Sequence, residues 1–180
     1  MRTALIALAA AVLAAAPATA ERIDATRLGA LPAAEVVILG EVHDNPHHHD
    51  NQAAAVEALA PTALVFEMLT EDQAARATPE LMTDQAALGE ALGWAESGWP
   101  DFDLYAPIFA AAPEAQVYGA AVPRAELRDV VRGEGALPAD AARWGLDQPL
   151  PEAQQDRREA MQAEAHCNAM PEEMMPGMVR

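Results

Sequence analysis

The chain has 180 residues and carries 11 basic against 28 acidic side chains, for a net charge of −17. That length predicts one domain. The charge speaks against nucleic acid and anionic membrane surfaces as partners, because an acidic surface repels phosphate. All the cations are Arg, and the single Cys167 rules out an internal disulfide.

The N-terminus is a separate object. Arg2 supplies a short positive region, and "ALIALAAAVLAAA" follows as an apolar stretch too short to span a bilayer. The small residues "ATA" at 18–20 then offer a cleavage site. The pattern predicts a secretory signal peptide over residues 1–20, cut before Glu21. A mature domain over 21–180 would then work in the periplasm or outside the cell, not spanning the membrane. No Cys lies near the cut to accept a lipid.

Next comes "EVVILGEV" (35–42), a near-continuous apolar run with β-branched residues. It predicts a strand buried on both faces, as parallel sheets require. "NQAAAVEALA" (51–60) predicts a helix with Ala53, Val56, Leu59 and Ala60 on one face, stopped by Pro61. "ALVFEML" (63–69) predicts a second buried strand, closing a βαβ unit. An Ala-rich helical region is expected over 79–94 and a Gly/Pro loop over 96–103. A short helix follows over 103–112, with Pro107 tolerable only near its first turn. A third strand is expected over 115–122, then helices over 123–132 and 150–166 and the start of another. This alternation predicts an α/β fold: a mostly parallel sheet flanked by helices. The chain stops within an amphipathic segment and supplies only three strands. It is therefore expected to be the N-terminal portion of a longer protein, incomplete at the C-terminus.

Such sheets bind ligands at the C-terminal ends of their strands. Glu41 and His43 lie at one such end and Glu67 at another. Period-two alternation sends Glu41 and His43 to the same side. Gly40 permits a sharp exit from the sheet or close approach of a ligand. A carboxylate inside "LVFEML" is costly to bury unpaired. Glu41, His43 and Glu67 together would need a shared proton or a divalent metal ion. The plainer alternative pairs Glu67 with a structural Arg such as Arg124.

"HHH" (47–49) is flanked by Pro46 and Asp50, and Asp50 or Asn51 is a natural N-cap for the following helix. At least two of these imidazoles are expected in a solvated turn, while one could reach a metal or a haem propionate. Tyr105 follows a loop containing Trp and Phe. A phenolate can ligate haem iron, while the plain alternative is a half-buried Tyr. Five Met residues cluster near His166 and Cys167. They could form a soft-metal site, although Met more often fills helix cores. There is no nucleophile elbow, no phosphate-binding Gly loop and no Cys-x-x-Cys pair.

"VVILGEVHDNPHHHDNQ", "ALVFEML", "LYAPI", "VPR" and "AHCNAMPEEMMPGMVR", in that order, resemble the ChaN-like haem-binding uptake proteins of the Tiki/TraB superfamily. The resemblance runs from about Glu35 to Arg180. It implies a Tiki/ChaN-like α/β fold, a role in haem or iron acquisition, and haem held between two subunits of a homodimer. Cofactor-binding candidates are then Tyr105, His43 and His166. The wider superfamily implies the alternative of metal-dependent hydrolysis, with His43, Glu67 and Glu41 as metal ligands or catalytic groups. Two features depart from the family: the missing lipid-acceptor Cys and the missing later half with its second His.

Overall fold

The computed structural model describes residues 20–179; the expected signal peptide lies outside them, apart from Ala20. Among the described residues, no helix is long and apolar enough to cross a membrane.

The longest helix of the site region, α1, spans Pro46–Leu59. It starts five residues earlier than expected. Asn45, not Asp50 or Asn51, caps it: its side-chain oxygen accepts from the backbone N–H of His47 at 3.1 Å. Pro46 then occupies the first helical position, where its missing N–H costs nothing. His47, His48 and His49 are therefore in the first turn of a helix and not in a loop. At the other end Ala60 takes a left-handed conformation, with φ 44°, and Pro61 prevents continuation.

Strand β1 is Ala63–Phe66 and pairs in parallel with β2, Gln116–Gly119; Ala63 faces Gln116 and Phe66 faces Gly119. The close end of this pair demands Gly119, since a Cβ there would overlap the backbone of Leu69 and Thr70. Between the strands lie α2 (Glu71–Ala74), α3 (Gln85–Leu92) and α4 (Phe102–Ala110). The short α2 escapes the sequence reading. Its start is a capping box in which Thr70 and Gln73 satisfy each other's backbone N–H groups. Asp84 caps α3, so the expected helix over 79–94 is confined to eight residues. Pro107 sits inside α4, leaving the Asp103 carbonyl without its in-helix donor. The helix nonetheless runs on to Ala110, and Ala111 donates to the Pro107 carbonyl at 3.0 Å.

Val56 of α1, Leu64 and Phe66 of β1, Leu88 and Leu92 of α3, and Tyr105 and Phe109 of α4 form one buried core. Phe66 and Phe109 stack at 4.1 Å, nearly parallel. Helices α5 (Arg124–Val131), α6 (Glu152–Ala165) and α7 (Met175–Val179) follow, with α7 packed against both α5 and α6.

Two expectations about the sheet are corrected. The run 35–42 is not a strand: it has no strand partner, and Ile38 is 90% exposed. Side chains hold it instead. Gln52 Nε2 donates to the Leu39 carbonyl at 3.2 Å, and the Val42 N–H donates to His48 Nδ1 at 2.8 Å. An apolar run favours extended backbone, but a strand also needs a neighbouring backbone to pair with. The second correction concerns β1. It alternates exposed and buried rather than being buried on both faces. Val65 and its register partner Tyr118 are both exposed, so among the described residues one face of the sheet is bare. The order helix and parallel strand is retained, so the described residues form a small mixed α/β arrangement with two strands rather than three.

Candidate functional site

The loop 42–45 is stitched to the first turn of α1, and the stitches are the histidines. His48 accepts from the Val42 N–H. His49 Nε2–H donates to the His43 carbonyl at 2.9 Å. These bonds fix the segment carrying Glu41 and His43 without any sheet. The alternation expected of a strand survives, because extended backbone sends residues i and i+2 to one side whether or not it is paired. Glu41 Oε1 and His43 Nδ1 meet at 2.7 Å.

Glu41 is the hub. Its side chain is only 9% exposed. Oε1 accepts from His43 Nδ1–H and, at 3.0 Å, from the Tyr105 hydroxyl. Oε2 lies 3.2 Å from His49 Nδ1. That distance suits an ion pair when His49 is protonated, although the angle makes no hydrogen bond and leaves Nδ1 otherwise unpartnered. Burial pushes the Glu41 carboxyl upward, but its contacts win. The His43 and Tyr105 hydrogen bonds, the His49 charge and Gln52 hold it below the usual carboxylate range.

His43 has a defined state in this arrangement. A carboxylate can only accept, so His43 Nδ1 carries the hydrogen, and in the neutral ring it is then Nε2 that keeps the lone pair. The His43 side chain is 42% exposed, so that lone pair is on an accessible ring. The edge of the ring meets Trp99, with centroids 4.8 Å apart and planes at 78°. Trp99 also lines a cavity of about 800 Å³ between α3, the 94–101 loop and α4. Trp94 and Phe102 add aromatic surface to that cavity, and Glu90, Glu96 and Asp101 add charge.

Tyr105, expected as a phenolate ligand, is fully buried beneath the site. Its hydroxyl is committed to Glu41. Burial, that hydrogen bond, and the charges of Glu41 and Glu67 push its phenol far above the ordinary value. In this arrangement the phenol is a hydrogen-bond donor to Glu41. Glu67 is exposed rather than buried. Its charge is felt at Tyr105, yet it makes no hydrogen bond or ion pair with Glu41 or His43 among the described residues. Arg124 does not pair with it either; its guanidinium donates to the Ser97 carbonyl at 2.9 Å. Among the described residues, no three His, Cys, Asp or Glu side chains are arranged to hold a metal ion. His166 closes α6, donating from Nδ1 to the Gln162 carbonyl at 2.8 Å. Its helix packs on α7. Cys167 is exposed. Gly40 has no protein atom within 4 Å of where a Cβ would stand, and its φ is not left-handed.

Gln52 belongs to the site without having been singled out in the sequence, His49 is the imidazole of the 47–49 run that reaches Glu41, and Trp99 comes from the aromatic loop before Tyr105. A signal existed for two of them. The apolar face of α1 runs through Ala53 and Val56, and one turn back along that face lie His49 and Gln52. Trp99 had no such signal, since loop geometry placed it.

The site is thus an imidazole with a carboxylate behind it and an indole beside it. That arrangement suits ligation of a flat apolar metal complex. A family described as haem-binding uptake proteins of the Tiki superfamily, ChaN, matches residues 28–180. The chain belongs to this family. No curated protein and no solved structure matches it significantly.

Proposed function

We propose that this chain binds haem for uptake, with His43 as its ligand to the iron. One observation carries the reading: Glu41 fixes Nδ1 of His43 and leaves Nε2 uncommitted on an accessible ring beside Trp99. Metal-ligating histidines characteristically give their second nitrogen to a carboxylate or carbonyl in this way. Family membership supplies the cofactor class. When bound, haem would supply an iron with an open coordination position and a large apolar face. The chain's own part is to present Nε2, hold the ring still through Glu41, and cover one edge with Trp99. The carboxylates lining the neighbouring cavity repel propionates, so that cavity is not a propionate seat. Export through residues 1–20 fits this role and would place the working domain, 21–180, in the periplasm or outside the cell. Recovery of the chain only from the cytoplasmic fraction, still beginning at Met1, would refute that placement.

Hemin titration tests the ligand. The purified chain is expected to give a shifted Soret band, and His43→Ala to weaken binding on the order of 100-fold. Equal spectra and affinity in that variant would remove His43 from the iron.

A further inference from the structure

The cavity that Trp99 lines has a chemistry the haem reading leaves unused. We infer that it is a second binding site, for a small organic cation: an ammonium head carried on an apolar or aromatic body. This site is independent of the haem reading.

The walls supply two kinds of group. Trp94, Trp99 and Phe102 give aromatic surface. Glu90, Glu96, Asp101 and Asp103 give four carboxylates, and no Lys, Arg or His joins them in the lining. Among the described residues, none of the four is in an ion pair. Arg76 and Arg124 border the region, but both are committed to backbone. Arg76 donates to the Ala91 carbonyl at 3.2 Å and Arg124 to the Ser97 carbonyl at 2.9 Å. Aromatic faces attract cations through their quadrupole, and carboxylates attract them through charge. Both therefore select the same ligand and reject an anion. A divalent metal ion suits the walls less well. Among the described residues no three acidic side chains converge as its ligands would, and aromatic surface offers it no oxygen donors. A cavity of about 800 Å³ is of the size that holds a small organic molecule.

The chain itself holds these walls in place. Trp94 Nε1–H donates to the Pro100 carbonyl at 2.8 Å, closing the 94–101 loop on itself. The Ser97 hydroxyl donates to the Trp94 carbonyl at 2.7 Å and accepts from the Trp99 N–H at 3.1 Å. On the α3 side, Gly89 lets the Phe102 ring lie against the helix, since a Cβ there would come within 2.9 Å of it. Walls already ordered spare a ligand the entropy of ordering them.

The experiment is an NMR titration of the ¹⁵N-labelled full chain with benzyltrimethylammonium chloride at constant ionic strength. The indole signals of Trp94 and Trp99 are expected to shift saturably. Trp144, whose indole donates to Asp140 outside the cavity, is expected to stay still. Benzyl alcohol, which keeps the ring and lacks the charge, should bind about tenfold more weakly. Glu90→Gln combined with Glu96→Gln should weaken the ammonium about fivefold, as for two exposed charge contacts. Asp156→Asn combined with Glu164→Gln removes two exposed charges from α6 and should leave its affinity unchanged. Amide dispersion in the same spectra checks that each variant is folded. Equal affinity for the two probes overturns the inference. So does an equal loss in both double variants, which would mean general attraction to a chain of net charge −17. Indoles that ignore the ammonium, or that respond only to a hexa-arginine peptide, overturn it as well.

Discussion

Glu41 and Tyr105 show how two residues distant in sequence become one chemical unit. Their hydrogen bond at 3.0 Å spans 64 positions. It stabilises the carboxylate and the neutral phenol together, and so ties folding to pH from both sides. The Glu41 carboxyl is lowered from its ordinary 4.5. Its contribution is therefore present above that value and is lost as pH falls through the lower, folded value. The Tyr105 phenol is raised from its ordinary 10.0. Its contribution is present below pH 10 and is lost as pH rises toward the elevated folded value. Tyr105→Phe is accordingly expected to cost about 1.5–3 kcal/mol at neutral pH, as for a hydrogen bond to a charged group. It should also flatten the loss of stability above pH 10. Chemical denaturation at pH 7 and pH 11 checks this; an unchanged alkaline decline would show that another group drives it.

The ends of α1 matter most at the scale of the element, because its first turn holds the site. Asn45 caps that turn and lies within the stitched loop. Ala60 ends the helix in a left-handed conformation that costs a residue with a Cβ. Opposite changes are expected at the two ends. Asn45→Ala should lose about 1 kcal/mol. Ala60→Gly should gain about 0.5–1 kcal/mol, the relief of strain outweighing the added freedom of the unfolded chain. Thermal melts of both variants test the pair, and a destabilised Ala60→Gly would contradict the strain argument. Much of this element was legible beforehand. Its apolar face and the stop at Pro61 follow from periodicity and backbone chemistry. Its start was misplaced because Asp50 and Asn51 are also good caps, and only the fold selects among three candidates.

For the whole molecule, the bare sheet face is the notable feature. Val65 and Tyr118 stand side by side across β1 and β2, both exposed, and Val36 and Ile38 are exposed on the unpaired segment before α1. Exposed apolar surface and open strand edges promote association. Replacing Val65 and Ile38 together by Thr is expected to leave the melting temperature nearly unchanged. It should also reduce concentration-dependent scattering. A loss above about 1 kcal/mol would instead show that these side chains are covered in solution.

The sequence alone determined what is local or chemical. The alternation that brings Glu41 and His43 to one side, the capacity of an imidazole and a carboxylate to act together, the helical periods and the acidic surface all follow from neighbouring residues. The family resemblance was legible as well, and residues 28–180 match that family. Only the tertiary structure decided which groups are buried and which partners they meet. It put Glu67 outside, Tyr105 beneath Glu41, and His49 and Trp99 beside the pair. It also withheld a strand partner from 35–42. Burial and pairing depend on contacts between distant segments, and an apolar run or a lone carboxylate carries no local record of which distant segment will reach it.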